Sequence, residues 1–148
     1  MKIEVQVAIH ATREEIWDVI SDIENSDTVI SGIEKLEILK KPENGLVGLK
    51  WRETRTMFGK EATETMWITD SEEYKYYESR AESHGSIYKG RMIIEEEAGD
   101  LILKMQFSAR PVTLMARILS VLLGFMMKGP TKKLLLNDLR DVKAYIER

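Results

Sequence analysis

Between Lys2 and His10 the apolar side chains fall on alternate positions, with Ile3, Val5, Val7 and Ile9 on one face and Lys2, Glu4, Gln6 and Ala8 on the other. This is the period of a half-buried strand. Thr12 with Glu15 three residues later makes a capping box, and Ile16, Val19, Ile20 and Ile23 then recur at helical spacing beside Trp17, so a helix is expected to start at Arg13. Asn25, Ser26 and Asp27 are expected to interrupt it, with Thr28 to Ser31 adding one more turn before Gly32 closes the helical region. Two short helices thus follow the first strand.

From Ile33 to Arg110 the period-two alternation returns, punctuated by Pro42-Glu43-Asn44-Gly45, Phe58-Gly59-Lys60, Asp70-Ser71-Glu72, His84-Gly85 and Ala98-Gly99-Asp100. These turn signals predict six further strands in an antiparallel meander, over about 33–41, 46–56, 61–69, 73–82, 86–97 and 101–109. Parity puts Leu49, Trp51, Glu53 and Arg55 on one face, and the matching rows are Ala62, Glu64, Met66, Ile68; Tyr88, Gly90, Met92, Ile94; and Leu101, Leu103, Met105, Phe107. Tyr77 falls on the face opposite Tyr74 and Tyr76, and ordinary packing accounts for all three.

Pro111 cannot donate to a ladder and is expected to end the sheet. Residues 113–128 are then apolar except for Thr113, Arg117, Ser120, Gly124 and Lys128, which share one narrow helical stripe. Gly129-Pro130 is expected to break or kink the helix, after which Leu135, Leu139, Val142 and Ile146 recur as an ordinary one-sided amphipathic helix. At about 1.5 Å per residue the apolar part is roughly 22–24 Å long and carries Arg117, short of the ~30 Å hydrocarbon core, so a transmembrane span is rejected. Contact with a membrane surface while loading lipid is the remaining membrane reading.

The composition narrows the chemistry. With 148 residues and 43% hydrophobic positions, the chain reads as one domain over 1–148. Its 22 basic and 25 acidic side chains sum to −3, which offers no field for a phosphate backbone and excludes nucleic acid as the expected partner. The absence of cysteine removes disulfides, thiolate nucleophiles and thiolate metal sites, and no secretory apolar segment follows Met1, so a cytoplasmic location is expected. His10 and His84 sit at strand ends without metal-site spacing, so no metal is expected. There is no glycine-rich phosphate loop and no GxSxG elbow, and no cofactor is implied.

The order strand, two short helices, six antiparallel strands and long C-terminal helix resembles the α+β helix-grip fold of the START/Bet v 1-like (SRPBCC) superfamily. The likeness is strongest to its polyketide cyclase/dehydrase and lipid-transport group. It is carried by Ile16-Trp17-Asp18-Val19-Ile20-Ser21-Asp22, by Val47-Gly48-Leu49-Lys50-Trp51-Arg52-Glu53-Thr54-Arg55 followed by Gly59, and by Asn137-Asp138-Leu139-Arg140-Asp141-Val142-Lys143. The resemblance covers essentially the whole chain. It implies a seven-stranded curved sheet gripping the long helix around a lipophilic cavity, with uses that range from lipid carriage to aromatic polyketide cyclisation.

A ligand cavity needs apolar walls and a few polar anchors. The expected walls are Trp51, Met66, Met92, Met105 and Phe107 from the sheet and Met115, Leu119, Leu122 and Met126 from the helix, where flexible methionines suit variable contents. Glu53, Arg55 and Glu64 share the inward parity; Arg55 is the natural partner of a ligand carboxylate, and the alternative is that the three satisfy one another. Tyr88 beside Gly90 is placed to donate to a ligand oxygen or to pack. The leading expectation is binding or carriage of a small lipophilic molecule, with self-association also open to it. The alternatives are a cyclase or dehydratase using Glu53, Glu64 and Tyr88, and an Aha1-like partner-binding domain without small-molecule chemistry.

Overall fold

The strand alternation is realised almost residue for residue in the computed structural model, which describes residues 1–57 and 59–148. Seven strands run as β1 (Lys2–Ile9), β2 (Ile33–Lys40), β3 (Lys50–Met57), β4 (Lys60–Glu72), β5 (Tyr76–Ser83), β6 (Ser86–Glu97) and β7 (Asp100–Pro111). They form one antiparallel curved sheet in the order β1-β7-β6-β5-β4-β3-β2. Between β1 and β2 lie helix α1 (Arg13–Ile20) and a 3-10 helix (Ile23–Thr28), and a single long helix α2 (Leu114–Glu147) follows β7.

Local chemistry explains the corners. Thr12 caps α1 by accepting from the Glu15 amide at 3.1 Å, and its hydroxyl donates to Glu15 Oε1 at 3.1 Å. The β5–β6 and β6–β7 hairpins close through His84-Gly85 and Ala98-Gly99, all four with positive φ, the conformation two-residue hairpins need. Gly85 has a second reason to be glycine: its carbonyl accepts from the Val112 amide at 2.8 Å, and a β-carbon there would collide with Thr113 Oγ1.

Three boundaries differ from the sequence reading. Asn25, Ser26 and Asp27 lie inside the 3-10 helix instead of breaking it, because the interruption falls earlier, at Ser21 and Asp22, where the Asp22 carboxylate accepts from Asn25 Nδ2. The expected turn at Asp70-Ser71-Glu72 belongs to β4, and the chain reverses at residues 73–75. A bulge at Thr69, between the pairs Ile68–Ser79 and Asp70–Glu78, shifts the register and lets the strand continue. Residues 46–49 precede β3 instead of joining it, although the Ile68 amide still donates to the Leu49 carbonyl at 2.9 Å. Of the expected turn at Phe58-Gly59-Lys60, Phe58 lies outside the described residues.

The fourth difference concerns α2, which runs through Pro130 as one helix. Proline there deletes the hydrogen bond to the Met126 carbonyl. Met126 is 68% exposed, so water reaches that turn and the path survives the loss. What changes along α2 is its environment. Leu135, Leu139 and Val142 are buried against Ile3, Val5, Ile9, Ile16, Trp17, Ile20, Met92, Ile94 and Leu103 in the main core. Of the preceding residues only Ala116 is buried. One 18-residue window of α2 is apolar enough, by length and composition, to cross a membrane. In the fold, however, the helix lies along the sheet, with its second half in the core.

Candidate functional site

The inward face follows parity across the sheet: Trp51 pairs with Met66, Glu53 with Glu64 and Arg55 with Ala62, while Tyr88 pairs with Ala109, Gly90 with Phe107 and Met92 with Met105. Where α2's second half and α1 cover this face it forms core. Where α2's first half stands over it, a cavity of about 770 Å³ remains. The sheet contributes Met57, Ala62, Met66, Ala81, Met105, Phe107 and Ala109, and α2 contributes Ala116, Leu119, Leu123, Met127, Leu134 and Leu135. Tyr88 lines it with its ring stacked on Phe107, centroids 6.0 Å apart. Gly90 is small for a local reason: a β-carbon would stand 3.1 Å from Met105 Cε and 3.2 Å from Ser79 Oγ.

Of the expected lining, Glu53, Arg55, Glu64, Met66, Tyr88, Met105, Phe107 and Leu119 stand on the cavity wall. Trp51 does not; it is buried in a side cluster with Ile23, Leu49 and Ile68, and its indole Nε1 donates to Glu53 Oε1 at 3.3 Å. Met92 belongs to the main core, because α2's second half covers that end of its row. Met115, Leu122 and Met126 are 73%, 66% and 68% exposed and point away. The expected helix phase is displaced: Leu119 faces the cavity beside Ser120, Leu123, Gly124 and Met127, while Met115, Leu122 and Met126 lie on the outer side.

The polar end of the cavity is a built network. Arg55 Nε donates to Glu53 Oε2 at 2.7 Å, and its Nη atoms reach both Asp138 carboxylate oxygens at 3.0 and 2.9 Å. All three side chains retain only 13–16% exposure. Burial alone would lower the Arg55 pKa, but Glu53 and Asp138 outweigh it and hold the guanidinium charged. Burial raises Asp138 above the ordinary carboxylate range against the pull of Arg55. Asp138 thus fills the place that the sequence reading gave to Glu64. Its signal was available: it sits three residues after Leu135 and one before Leu139, a carboxylate inside an otherwise apolar stripe.

Glu64 stands apart from that ion pair. Burial raises its pKa, the Ser83 hydroxyl and His84 pull it back, and Glu53 adds to the rise. Tyr88 is also raised, by burial first and then by Glu64, so its phenol keeps its proton at neutral pH. Tyr77, next to the network, is raised by burial and by Glu53 and Asp138. With two carboxylates on one guanidinium, this end has acceptors in excess, and Arg55 is already engaged by both Glu53 and Asp138. Among the described residues no three acidic or histidine side chains gather as a metal site.

A seven-stranded antiparallel sheet wrapped on a long C-terminal helix, with a cavity between them, defines the helix-grip class. Over residues 1–147 the chain matches the model of the polyketide cyclase/dehydrase and lipid transport family, and it belongs to that family. No curated protein matches it. Among solved structures, TTHA0849 from Thermus thermophilus superposes with a TM-score of 0.81 at 13% identity, covering 99% of this chain and 97% of that one. The Zhui aromatase/cyclase from Streptomyces sp. R1128 gives 0.76 at 18% identity, covering 100% and 94%. A START superfamily protein from Mycobacterium smegmatis gives 0.78 at 16% identity, covering 99% and 97%. At these identities the likeness is one of fold.

Proposed function

We propose that the chain binds a small lipophilic molecule, of the lipid or polyketide class, in the cavity beneath α2, with a hydroxyl-bearing end against Glu53 and Asp138. The observation that carries this reading is the pairing of an apolar cavity of about 770 Å³ with one acceptor-rich end. Apolar walls supply affinity at about 0.8 kcal/mol per buried methylene, and a few fixed polar groups orient the ligand. Because Arg55 is already engaged by two carboxylates, a neutral donor suits this end and an anionic head is repelled. At neutral pH a long-chain alcohol should therefore displace a bound naphthalene dye at lower concentration than the fatty acid of equal length. Stronger displacement by the acid would contradict the assignment of polarity.

A second reading, cyclase or dehydratase chemistry, has its own support. Burial raises Glu64 on the cavity wall above its ordinary carboxylate value, beside Tyr88, the direction of shift that favours a general acid, and the fold is shared with an aromatase/cyclase. Conversion of an aromatisable polyketide mimic by the native chain, lost in Glu64→Gln, would favour this reading over carriage.

A further inference from the structure

The first half of α2 is apolar on its outer side as well as on its cavity side. Ala116, Leu119, Ser120, Leu123, Gly124 and Met127 face the cavity, while Val121, Leu114, Met115 and Met126, which do not line it, are 82%, 75%, 73% and 68% exposed. An apolar strip of this length on a water-facing helix costs solubility and marks a contact surface. Its electrostatic surroundings point to the partner. Between Asp100 and Asp138 the chain has no acidic residue and six basic ones, Lys104, Arg110, Arg117, Lys128, Lys132 and Lys133, although its formal net charge is −3. Arg117 and Lys128, eleven residues apart, fall near one edge of the apolar strip at 100° per residue, and Lys132 and Lys133 continue past its end.

We propose that this face docks on the surface of an anionic lipid bilayer, with α2 lying in the plane of the interface. An apolar sector flanked by lysine and arginine is the pattern of an interfacial helix, and a negatively charged leaflet supplies countercharge for Arg117, Lys128, Lys132 and Lys133, whereas Lys104 on β7 is already paired with Glu95 and Glu4. A second copy of the chain is a poorer occupant, because a two-fold contact sets the same cations against one another with no acid to neutralise them. Insertion across the bilayer is opposed by the core packing of Leu135, Leu139 and Val142. Docking stands whether or not the cavity takes a lipid, and its test uses no cavity ligand.

The test is flotation of the full chain with vesicles of phosphatidylcholine alone or mixed with phosphatidylglycerol. Binding is expected only to the mixed vesicles, and it should be abolished in ~1 M salt, where the Debye length falls to about 3 Å. Arg117→Gln/Lys132→Gln/Lys133→Gln should weaken partitioning about a hundred-fold, since each basic residue near the surface is worth about five-fold. Val121→Asp should abolish it. Neither variant alters a cavity-lining side chain, so dye binding in vesicle-free solution separates failure of docking from failure of the cavity. Equal partitioning to both vesicle types, no partitioning to either, or native partitioning by Val121→Asp would overturn the proposal. So would sedimentation as a stable dimer that Val121→Asp dissociates.

Discussion

Residues 134–147 and residues 114–128 of α2 share one helix but not one environment. The later segment is tied to the rest of the fold through charged groups: Asp138 to Arg55, Asp141 to the Ser31 amide and hydroxyl at 2.9 and 2.7 Å, Lys143 to the Ala8 carbonyl and Glu147 to the His10 amide at 2.8 Å. It also buries Leu135, Leu139 and Val142. The earlier segment is held at its start, where Thr113 caps the helix through the Ala116 amide and the adjoining strand end bonds to Gly85. Beyond that, its one side-chain hydrogen bond among the described residues is internal, Ser120 to the Arg117 carbonyl. Half of the helix is therefore scaffold and half is a wall over a cavity, and the same division separates stability from binding.

The largest effect that sharpens this contrast is on stability. Leu139→Ala, at a fully buried position, should cost about 2–5 kcal/mol, whereas Val121→Ala, at an exposed one, should stay within about 0.5 kcal/mol. Denaturant unfolding measures both. Similar losses would mean that the first half is packed in solution against something that covers it.

Hydrogen exchange reads the same division without mutation. Protection in residues 114–128 should be at least about ten-fold lower than in 134–146, because local opening there breaks few buried contacts. A bound lipophilic dye should raise protection in the first segment and leave the second unchanged. Uniform protection that ignores the dye would make all of α2 static core.

Much of this was legible in the sequence, for physical reasons that also mark where legibility ended. Period-two alternation sets which face of a strand is buried, so the rows from Trp51 to Arg55, Ala62 to Ile68, Tyr88 to Ile94 and Leu101 to Phe107 appear on the expected side. The capping box at Thr12 and the glycine hairpins are local chemistry and appear where expected. The bulge at Thr69 left no local signal that moved the next turn. Along the first half of α2 apolar residues ring most of the helix, so hydrophobicity placed Met115, Leu122 and Met126 inside with Leu119, whereas of these four only Leu119 lines the cavity, beside the narrow stripe with Ser120 and Gly124. Asp138 was visible as a carboxylate inside an apolar stripe, but its partner Arg55, eighty-three residues away, was not.

The smallest expected effect comes from Glu64. Burial raises its folded pKa above the unfolded value, so the folded state binds the proton more tightly and stability declines as pH rises through the folded pKa. Glu64→Gln should then stabilise the chain at neutral pH by about 1–2 °C, the size of ~0.5 kcal/mol in a domain of this length. The gain should vanish below the ordinary glutamate pKa. A gain that persists in acid would trace the effect to packing instead of charge.

If the space under the first half of α2 is a binding cavity, a dye titration reveals it. Ala109 lines the cavity across from Tyr88, and Ala109→Trp fills space there without touching the Arg55 network. The native chain should bind a naphthalene dye saturably, one per chain, no tighter than tens of micromolar: apolar area equivalent to about twelve methylenes offers roughly 10 kcal/mol at ~0.8 each, against an association cost of at least about 4 kcal/mol. The Ala109→Trp chain, folded by circular dichroism, should lose that binding. Equal saturable binding by both chains would place the dye elsewhere, and no saturable binding by the native chain would contradict the account.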